Sequence, residues 1–450
     1  KTHTIVEKIK YLIENNIYEP ENIVCLTFSN EAANSLLLRV QKNNNKLKKP
    51  IIRTFHGFSA DILREHGERI GLNKEFKILD ANEAKIVMCK NLRVSPYNCH
   101  KYIASISAAK DLGISIESLS SNLQKKLYKY AGIDVEKRFE QLQLDLQTLY
   151  LQRKKNKHEI EFELEELKKI ISLKKFISAW QAYEKIKQIK NYQDYADLNL
   201  NSLKLILENP EIKKQYKYII IDEFQDTNKI QLDFIFSIAA EGNITIVGDL
   251  NQSIYRFRGA YEDNFKEFKQ KFNTKESDIF NLDKSYRSSN KILKIANALI
   301  MQNESSKENI FEIKNADDRE GGPIEVYELN NTREEARKIV EIVEKEIEDG
   351  KNPNEICIMF RTHQYGRIMK QALEKMRIQY YSVAKASLLK QKSIASIIDY
   401  LIIINAKNQN LNLGEQSWWN IFHNLNLEES DLIKIGKFIK EKRNSIIYDK

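Results

Sequence analysis

Residues 218–228 read YIIIDEFQDTN, and this stretch decides the fold. A run of apolar, mostly β-branched residues ends at once in two adjacent carboxylates, Asp222 and Glu223, and polar residues follow. A short apolar run bounded by polar residues is typical of a buried, parallel strand. In open α/β sheets, ligands bind beyond the carboxyl ends of the strands. The pattern therefore predicts a ligand site at the two acids.

Two carboxylates at the end of a strand suit phosphate chemistry, as in a Walker B site. Asp222 is predicted to hold Mg²⁺ through water on a nucleoside triphosphate, and Glu223 to orient and deprotonate the attacking water. The structural alternative is a strand that merely runs into an acidic turn. Two adjacent acids repel each other, and without a function nothing would offset that repulsion, so we favour the phosphate-binding site.

The chain around this stretch alternates between strand and helix patterns, which indicates a parallel sheet with helical crossovers and an α/β fold. Strands are predicted at Ile23 to Phe28, Ile51 to Phe55, Tyr218 to Ile221 and Asn243 to Val247, with helices at Ile5 to Glu14, at Glu31 to Gln41 and after Phe55 through Arg64.

Composition shifts along the chain predict four regions. Residues 1–81 and 193–283 form a first α/β domain, and 82–192, where strand signals vanish, form a helical insertion. A second, partial α/β domain is predicted over 284–404, with strands at 324–329 and 356–360 and helices at 332–349 and 365–375. Residues 405–450 are polar and helical, and are interpreted as the start of a second inserted domain.

Size and charge narrow the class of protein. A chain of 450 residues exceeds one ordinary core, and no apolar run approaches the ~20 residues of a membrane span. The N-terminus lacks a signal peptide, and the four cysteines form no C-x-x-C pair, so we expect reduced thiols in a cytoplasmic protein. The net charge of +9 fits a polyanionic partner but is modest for this length.

Three further segments carry polar or aromatic chemistry. The chain opens with Lys1-Thr2, the pair that ends a phosphate-binding P-loop, where lysine reaches the phosphates and the hydroxyl binds Mg²⁺. The run GDLNQSIYRFRGA at 248–260 places Gln252 after a strand, where a γ-phosphate sensor belongs, and Phe257 among cations, where an unpaired base could stack. At Tyr286-Arg287 an aromatic ring stands beside a guanidinium, a pair suited to adenine and phosphate.

In this order, the motifs resemble those of the superfamily 1 helicases of the UvrD/Rep/PcrA group, and the resemblance covers nearly the whole chain. DEFQDTN at 222–228 repeats that family's motif letter for letter. The other matching segments are Lys1-Thr2 (end of Walker A), TFSNEAA at 27–33, RTFHGF at 53–58, DYADL at 194–198, GDLNQSIYRFRGA at 248–260, YRS at 286–288 and IMFRT at 358–362.

The resemblance implies two RecA-like P-loop motor domains with helical insertions, and an ATP-dependent helicase that moves 3′→5′ on single-stranded DNA and unwinds duplexes, in repair or replication. It implies ATP and Mg²⁺ as cofactors, and as partners single-stranded DNA, single–double-strand junctions and repair or replication proteins, with no membrane. ATP and Mg²⁺ would be served by Lys1, Thr2, Asp222, Glu223, Gln252 and Arg287, with Tyr286 stacking on adenine and Arg258 bridging nucleotide and DNA. DNA would be contacted by Phe28, Asn30, Thr54, His56, Tyr255, Phe257 and Arg361.

The chain departs from the family pattern at several points. Phe257 replaces a tryptophan, which predicts a weaker grip on bases, and Leu250-Asn251 replace two aspartates. The sequence starts inside the P-loop and stops before the family's last two motifs, so we expect an internal fragment. Three alternatives stay open: the motor of a helicase–nuclease, a DNA-binding or scaffold protein without hydrolysis, and an unrelated P-loop kinase or signalling NTPase. The intact Asp222-Glu223 pair argues against the second, and the Thr-Phe-His and Tyr-Arg-Phe-Arg segments argue against the third.

Overall fold

The structure is a computed structural model that describes residues 1–41, 49–92, 96–131, 133–151, 158–239, 242–255, 259–302, 312–382, 394, 396–398 and 400–401. Its internal contacts divide the chain into two units, Lys1–Gly322 and Pro323–Lys450. In the first unit, the strands are β1 (Ile23–Thr27), β2 (Ile51–Thr54), β3 (Lys77–Leu79), β4 (Tyr192–Asp194), β5 (Tyr218–Ile221), β6 (Ile244–Ile246), β7 (Lys284–Ser285) and β8 (Lys314–Asn315).

Fourteen α-helices lie in the described parts of both units. They are α1 (Thr2–Glu14), α2 (Asn30–Gln41), α3 (Phe55–His66), α4 (Ala81–Leu92), α5 (Pro96–Asp111), α6 (Ile116–Tyr128), α7 (Val135–Leu151), α8 (His158–Lys190), α9 (Tyr195–Glu208), α10 (Lys229–Ile238), α11 (Asn264–Lys271), α12 (Asn290–Ile300), α13 (Thr332–Glu348) and α14 (His363–Lys375).

The first unit is built on a four-stranded parallel sheet with the order β2-β1-β5-β6. All five residues of β1 are buried, as expected for a central strand covered on both faces. One face packs against a cluster that includes Phe58 of α3 and Leu232 of α10, and the other against Ile9 of α1 and Leu36 of α2. The predicted α/β class with a parallel sheet is confirmed.

Helix α3 begins one residue earlier than the strand pattern predicts. The pattern extends the strand to Phe55, but this residue is the first of α3 and is buried. The cause is Thr54, whose hydroxyl accepts a hydrogen bond from the backbone N–H of Gly57 at 3.2 Å. A threonine in this position caps a helix N-terminus, so the strand ends there.

The region predicted as a helical insertion contains helices α4 to α8. Their apolar side chains form two clusters, one around Met88 and Trp180 and another around Leu142 and Leu167. A short parallel pair of strands, β3 with β4, flanks these helices on the two sides of the insertion. This pair has only three residues in each strand, too few for a periodic signal in the sequence.

In the second unit, α13 and α14 pack against each other through Ala336, Val340, Met369 and Leu373. The strand predictions at 324–329 and 356–360 are wrong for this structure, because neither segment is assigned to a strand. Val326 is 91% exposed and Met359 is 88% exposed, so these apolar runs do not form a buried layer in the described part of this unit. An apolar run becomes a strand only where a neighbouring backbone accepts and donates ladder hydrogen bonds.

Among the described residues, no helix combines the length and apolar character that crossing a membrane requires.

Candidate nucleotide and DNA site

Most predicted site residues follow the carboxyl ends of the parallel strands. The ladder register pairs Thr27 with Thr54, Leu26 with Ile221, and Ile221 with Ile246, so four strand ends lie side by side along one edge of the sheet. These strand ends and the segments after them carry the predicted residues Phe28, Asn30, Thr54, His56, Asp222, Glu223, Gln252 and Tyr255. This is the edge where open α/β sheets bind ligands.

Asp222 and Glu223 sit where β5 turns out of the sheet. The backbone N–H of Asp222 still donates to the carbonyl of Leu26 at 2.9 Å, so the first acid is held in line with the ladder. Glu223 adopts the left-handed conformation, with φ 48° and ψ 48°. A non-glycine residue held in this region costs of order 1–3 kcal/mol, and such residues cluster at functional sites. The turn at Glu223 is therefore held at a conformational cost.

The two acids differ in their electrostatic environment. Burial, followed by the negative charge of Glu223, raises the pKa of Asp222, which is 6% exposed. Burial alone would raise the pKa of Glu223 as well, but hydrogen bonds from Lys1 and Gln225 outweigh it, so the pKa of Glu223 is lowered. Glu223 is therefore ionised at neutral pH, the state that a general base needs.

A closed ring of polar contacts joins the ends of β5 and β6 to the start of α1. Lys1 forms an ion pair with Glu223 Oε2 and also donates to Gln252 Oε1 at 3.4 Å. Gln252 Nε2 donates to Asp249 Oδ2 at 2.7 Å. Gln225 completes the ring: its Nε2 donates to Glu223 Oε2 at 2.9 Å, and its Oε1 accepts from the backbone N–H of Asp249 at 2.9 Å. Three predicted nucleotide residues thus meet at one point.

Phe28 and Tyr255 are stacked on each other. Their ring centroids are 5.2 Å apart and the rings are within 16° of parallel. Phe28 is 46% exposed, so the pair presents aromatic surface to solvent. Exposed aromatic faces are what unpaired bases stack on. The structure thus brings two predicted DNA residues, distant in sequence, into contact.

Three further predicted DNA residues lie near the same strand ends. Asn30 is exposed at the first turn of α2. Thr54 caps α3, so its hydroxyl has a structural partner already. His56 packs edge-on against Tyr195, with the ring centroids 5.2 Å apart, and burial lowers its pKa. His56 is therefore neutral at physiological pH and would offer a hydrogen bond to a ligand, not a positive charge.

Among the described residues, Tyr286 and Arg287 form no hydrogen bond or ion pair with members of the ring of contacts. Both are exposed. The guanidinium of Arg319 donates to the carbonyls of Tyr286 and Arg287 at 3.0 and 3.3 Å. Asn315 also donates to the neighbouring carbonyl of Ser288 at 2.8 Å. Sequence reasoning missed these two supporting residues, because they lie outside any matched motif.

The remaining predicted residues have less structural context. Phe257 and Arg258 lie outside the described residues. Thr2 is the first residue of α1 and is half-buried, next to Lys1. Arg361 is exposed and belongs to the second unit, where it precedes α14.

Asp222, directly after β5, and Thr2, at the start of α1, carry oxygen atoms of the kind that bind Mg²⁺. Asp222 offers a carboxylate and Thr2 a hydroxyl, and Mg²⁺ prefers hard oxygen ligands. Proteins usually hold it by one or two carboxylates, with the substrate phosphates supplying the rest. The raised pKa of Asp222 marks a buried charge that a nearby cation would stabilise. The residues present therefore fit the metal.

Comparison with known families decides the affiliation. Residues 1–273 match the UvrD/REP helicase N-terminal domain, which covers more than half of the chain. The chain belongs to the UvrD/Rep helicase family. Residues 280–443 match the UvrD-like helicase C-terminal domain. The two matched domains fit the predicted pair of RecA-like motor domains.

Individual relatives support the same affiliation for this UvrD/Rep family member. It is 29% identical over 468 residues to the ATP-dependent DNA helicase Rep of Buchnera aphidicola, covering 98% of this chain and 65% of the relative. It is 28% identical over 425 residues to a probable DNA helicase II homolog of Mycoplasma capricolum, and 27% identical over 424 residues to the ATP-dependent DNA helicase PcrA of Staphylococcus epidermidis. Each of these two alignments covers 92% of this chain, but only 52% and 51% of the relative. The chain thus spans about half to two thirds of these proteins.

One cluster in this UvrD/Rep family chain was not predicted from the sequence. Two buried lysines, Lys110 of α5 and Lys187 of α8, each contact the same three carboxylates, those of Glu184, Asp194 and Asp197. Lys110 is 4% exposed and Lys187 is 3% exposed. The DYADL motif pointed to the two aspartates, but nothing in the sequence pointed to the lysines. These ion pairs tie the helical insertion to the start of α9.

The three carboxylates of this lysine–carboxylate cluster are close enough together to hold a metal ion. Two ammonium groups already lie among them, so the positive charge that a metal would bring is present. Burial alone would lower the pKa of Lys110, but the charges of Asp197 and Asp194 outweigh it, and that pKa is well above its usual value. We interpret this group as a structural ion cluster.

The end of the DEFQDTN motif contacts the helical insertion directly. Asn228 caps α10 through a capping box with Gln231, and its Nδ2 donates to Asp111 Oδ1 at 2.9 Å. Asp111 is the last residue of α5 and follows Lys110 of the ion cluster. Burial, and then the charge of Asp194, raise the pKa of Asp111 to about 6. The last residue of the motif is thus hydrogen-bonded directly to the helical insertion.

Proposed function

We propose that the protein carrying this chain is an ATP-dependent DNA helicase of repair or replication, which couples ATP hydrolysis to 3′→5′ movement on single-stranded DNA and to duplex unwinding. The observation that carries the proposal is the sheet edge, where the ring of Lys1, Glu223 and Gln252 and the Phe28–Tyr255 stack lie on neighbouring strand ends. Similarity to the named helicases supports the same activity. The domain boundaries predicted from the sequence form part of this proposal.

Glu223 is the proposed general base. Its carboxylate is ionised and 36% exposed, so it can accept a proton from a water molecule that attacks the terminal phosphate. Lys1 forms an ion pair with this carboxylate and donates a hydrogen bond to Gln252. Both Lys1 and Gln252 are proposed to contact phosphate oxygens. Thr2 and Asp222 would hold Mg²⁺, whose chemistry is to neutralise phosphate charge.

Tyr286 and Arg287 are proposed to bind adenine and phosphate, with Arg258 linking nucleotide and DNA. Tyr286 and Arg287 are exposed, so the aromatic face of the first and the guanidinium of the second are accessible to a ligand. An arginine suits this role because its planar fork can pair with two phosphate oxygens at once.

The Phe28–Tyr255 stack is proposed as the base-binding platform. Stacking of a base on an aromatic side chain contributes ~1–3 kcal/mol and does not depend on sequence. Asn30, Thr54, His56, Phe257 and Arg361 are the further proposed DNA contacts. A neutral His56 fits a hydrogen-bonding role at the sugar or base, while the phosphates need cations such as Arg361.

The first test is ATP hydrolysis by the full-length protein with and without single-stranded DNA. We expect DNA to accelerate hydrolysis many-fold, and Glu223→Gln to bind ATP but lose turnover by ~10²–10⁴-fold, the usual contribution of a general base. Glu165→Gln, on the exposed surface of α8, is the matched control and should keep wild-type turnover. Hydrolysis that is indifferent to DNA would point to a signalling NTPase.

The second test concerns the aromatic platform. Phe28→Ala and Tyr255→Ala should each weaken binding of a single-stranded oligonucleotide by ~1–3 kcal/mol, because one stacking face is lost. Phe162→Ala is the control, since Phe162 is 71% exposed on α8, in the helical insertion. Equal affinities for all three variants and the wild type would exclude the stacking role.

A further inference from the structure

We infer that Gln225 is a positioning residue for catalysis, holding one oxygen of the Glu223 carboxylate so that the other remains directed toward the reacting water. The inference rests on the proposed ATP hydrolysis and names a residue whose role lies outside the sequence-predicted site. Gln225 itself is not expected to touch the nucleotide, because its side-chain amide is used at both ends within the protein.

The amide of Gln225 has a fixed orientation. Gln225 is 2% exposed, its Oε1 accepts from the backbone N–H of Asp249 at 2.9 Å, and its Nε2 donates to Glu223 Oε2 at 2.9 Å. A backbone N–H can only donate, so Oε1 must face Asp249 and the NH₂ group must face the carboxylate. The contact from Gln225 to Glu223 is thus a hydrogen bond to an ionised acceptor, which is stronger than a neutral one.

Both donors on Glu223 converge on the same oxygen. Lys1 and Gln225 each contact Oε2, and Oε1 takes no hydrogen bond from any residue in the described ranges. A base of this kind needs one oxygen held and the other accessible to water. Lys1 is also proposed to reach phosphate, and its ammonium group stands at the end of a long, flexible side chain. Gln225 is the donor whose position does not depend on the nucleotide.

Gly248 leaves the space that the Gln225 amide occupies. A Cβ added at Gly248 would lie 2.7 Å from Gln225 Oε1 and 2.8 Å from the ring of Phe265. The close approach of β6's end to this amide is therefore possible only without a side chain at 248. The same approach brings the N–H of Asp249 onto Oε1. The local backbone is shaped around the Gln225 side chain.

The test uses Gln225→Met and Gln225→Glu in the full-length protein, measured as DNA-stimulated ATP hydrolysis over a range of pH. Gln225→Met removes both hydrogen bonds and keeps a similar volume. We expect kcat to fall roughly ten- to a hundred-fold, the effect of losing a hydrogen bond to a charged group, with KM for ATP changed less than about threefold. Gln124→Glu and Gln124→Met, on the exposed face of α6, are the matched controls and should behave as wild type.

Gln225→Glu gives the readout that a merely structural residue would not move. When ionised, the introduced carboxylate would repel Glu223; when protonated, its O–H can donate to Glu223 while its carbonyl accepts from Asp249. We expect kcat of this variant to rise toward wild type as the pH is lowered from about 8 to about 6. If Gln225→Met does not fold, as judged by thermal unfolding, the pH profile of Gln225→Glu decides alone.

Two results separate the inference from the function on which it rests. Wild-type kcat in both Gln225 variants, or a Gln225→Glu profile parallel to that of the wild type, would overturn the positioning role while leaving the helicase proposal intact. A wild-type protein without DNA-stimulated hydrolysis, or with hydrolysis unaffected by Glu223→Gln, would overturn the proposed function and the inference together.

Discussion

Replacing Lys187 by methionine should destabilise the protein more than any other single lysine replacement on α8. Lys187 is 3% exposed, and its ammonium contacts Glu184 at 2.9 Å, Asp194 at 3.0 Å and Asp197. Methionine keeps most of the volume of the lysine stem but removes the charge. Three carboxylates would then share the single ammonium of Lys110.

The expected cost follows from the charge balance of the cluster. In the wild type, two ammonium groups face three carboxylates, which leaves one excess negative charge. Lys187→Met raises the excess to two in a buried site. Removing one partner of a buried ion pair typically costs about 3–5 kcal/mol, because the remaining charge is left uncompensated. A domain is stable by about 5–15 kcal/mol, so the loss should be plainly measurable.

The assay is urea unfolding at pH 7, followed by amide hydrogen exchange in α5 and α8. Exchange resolves local opening, which matters in a chain of several domains where a single unfolding free energy is poorly defined. Lys174→Met is the matched control, because Lys174 lies on the same helix but is 50% exposed, and among the described residues its one ion pair is with Glu136, at 2.8 Å. Exposed pairs contribute ~0–1 kcal/mol.

A second variant tests the charge argument itself. Lys187→Met combined with Asp197→Asn restores the wild-type excess of one negative charge, so it should be more stable than Lys187→Met alone. If Lys187→Met costs no more than Lys174→Met, or if Asp197→Asn adds fully to its cost, the cluster does not act as a coupled set of charges and the reasoning fails.

Three further predictions concern the site's surroundings. The pKa of Asp111 is raised to about 6 in the folded chain, so the free energy of unfolding falls as the pH rises from about 4 to about 6. Asp111→Asn should therefore raise the free energy of urea unfolding at pH 7 by up to about 3 kcal/mol, and an unchanged value would contradict this. Gly248→Ala should cost ~1–3 kcal/mol by overpacking and reduce ATP hydrolysis, whereas Gly322→Ala, with no atom within 4 Å of its added methyl group, should do neither. Thr54→Ala should lower the free energy of unfolding by ~1 kcal/mol and Thr54→Ser should restore it, because only the hydroxyl caps α3; equal losses would exclude the cap.

Sequence alone predicted the parallel sheet and the residues at its edge because both depend on local patterns. The apolar run before Asp222 specifies a buried strand, and the polar residues after it can lie only at the strand's end. Once two such strands are parallel and adjacent, their ends are adjacent too. This is why Glu223 and Gln252, which are 29 positions apart, could be assigned to one site from the sequence, and they are linked through Lys1.

The lysine–carboxylate cluster could not be predicted in this way. Lys110 and Lys187 look like ordinary charges on amphipathic helices, and only the packing of α5 and α8 buries them. The same limit explains the strand predictions at 324–329 and 356–360. An apolar, β-branched composition favours an extended backbone. A strand also needs a neighbouring segment to pair with, and tertiary structure determines that segment. Gln225 was visible in the motif, yet its role depends on the backbone of Asp249.

The ring of polar contacts and the Phe28–Tyr255 stack are connected, because both include residues of the loop that follows β6. Asp249 and Gln252 belong to the ring, and Tyr255 follows Gln252 by only three residues. On the other side, Phe28 follows the end of β1, whose Leu26 is paired with Ile221 directly before Asp222. Gln252 and Tyr255 thus share the loop that follows β6, whereas Phe28 directly follows β1. If the proposed function holds, we expect the separation of the Phe28 and Tyr255 rings to be the distance through which a nucleotide at the Lys1–Glu223–Gln252 ring would act on a bound base.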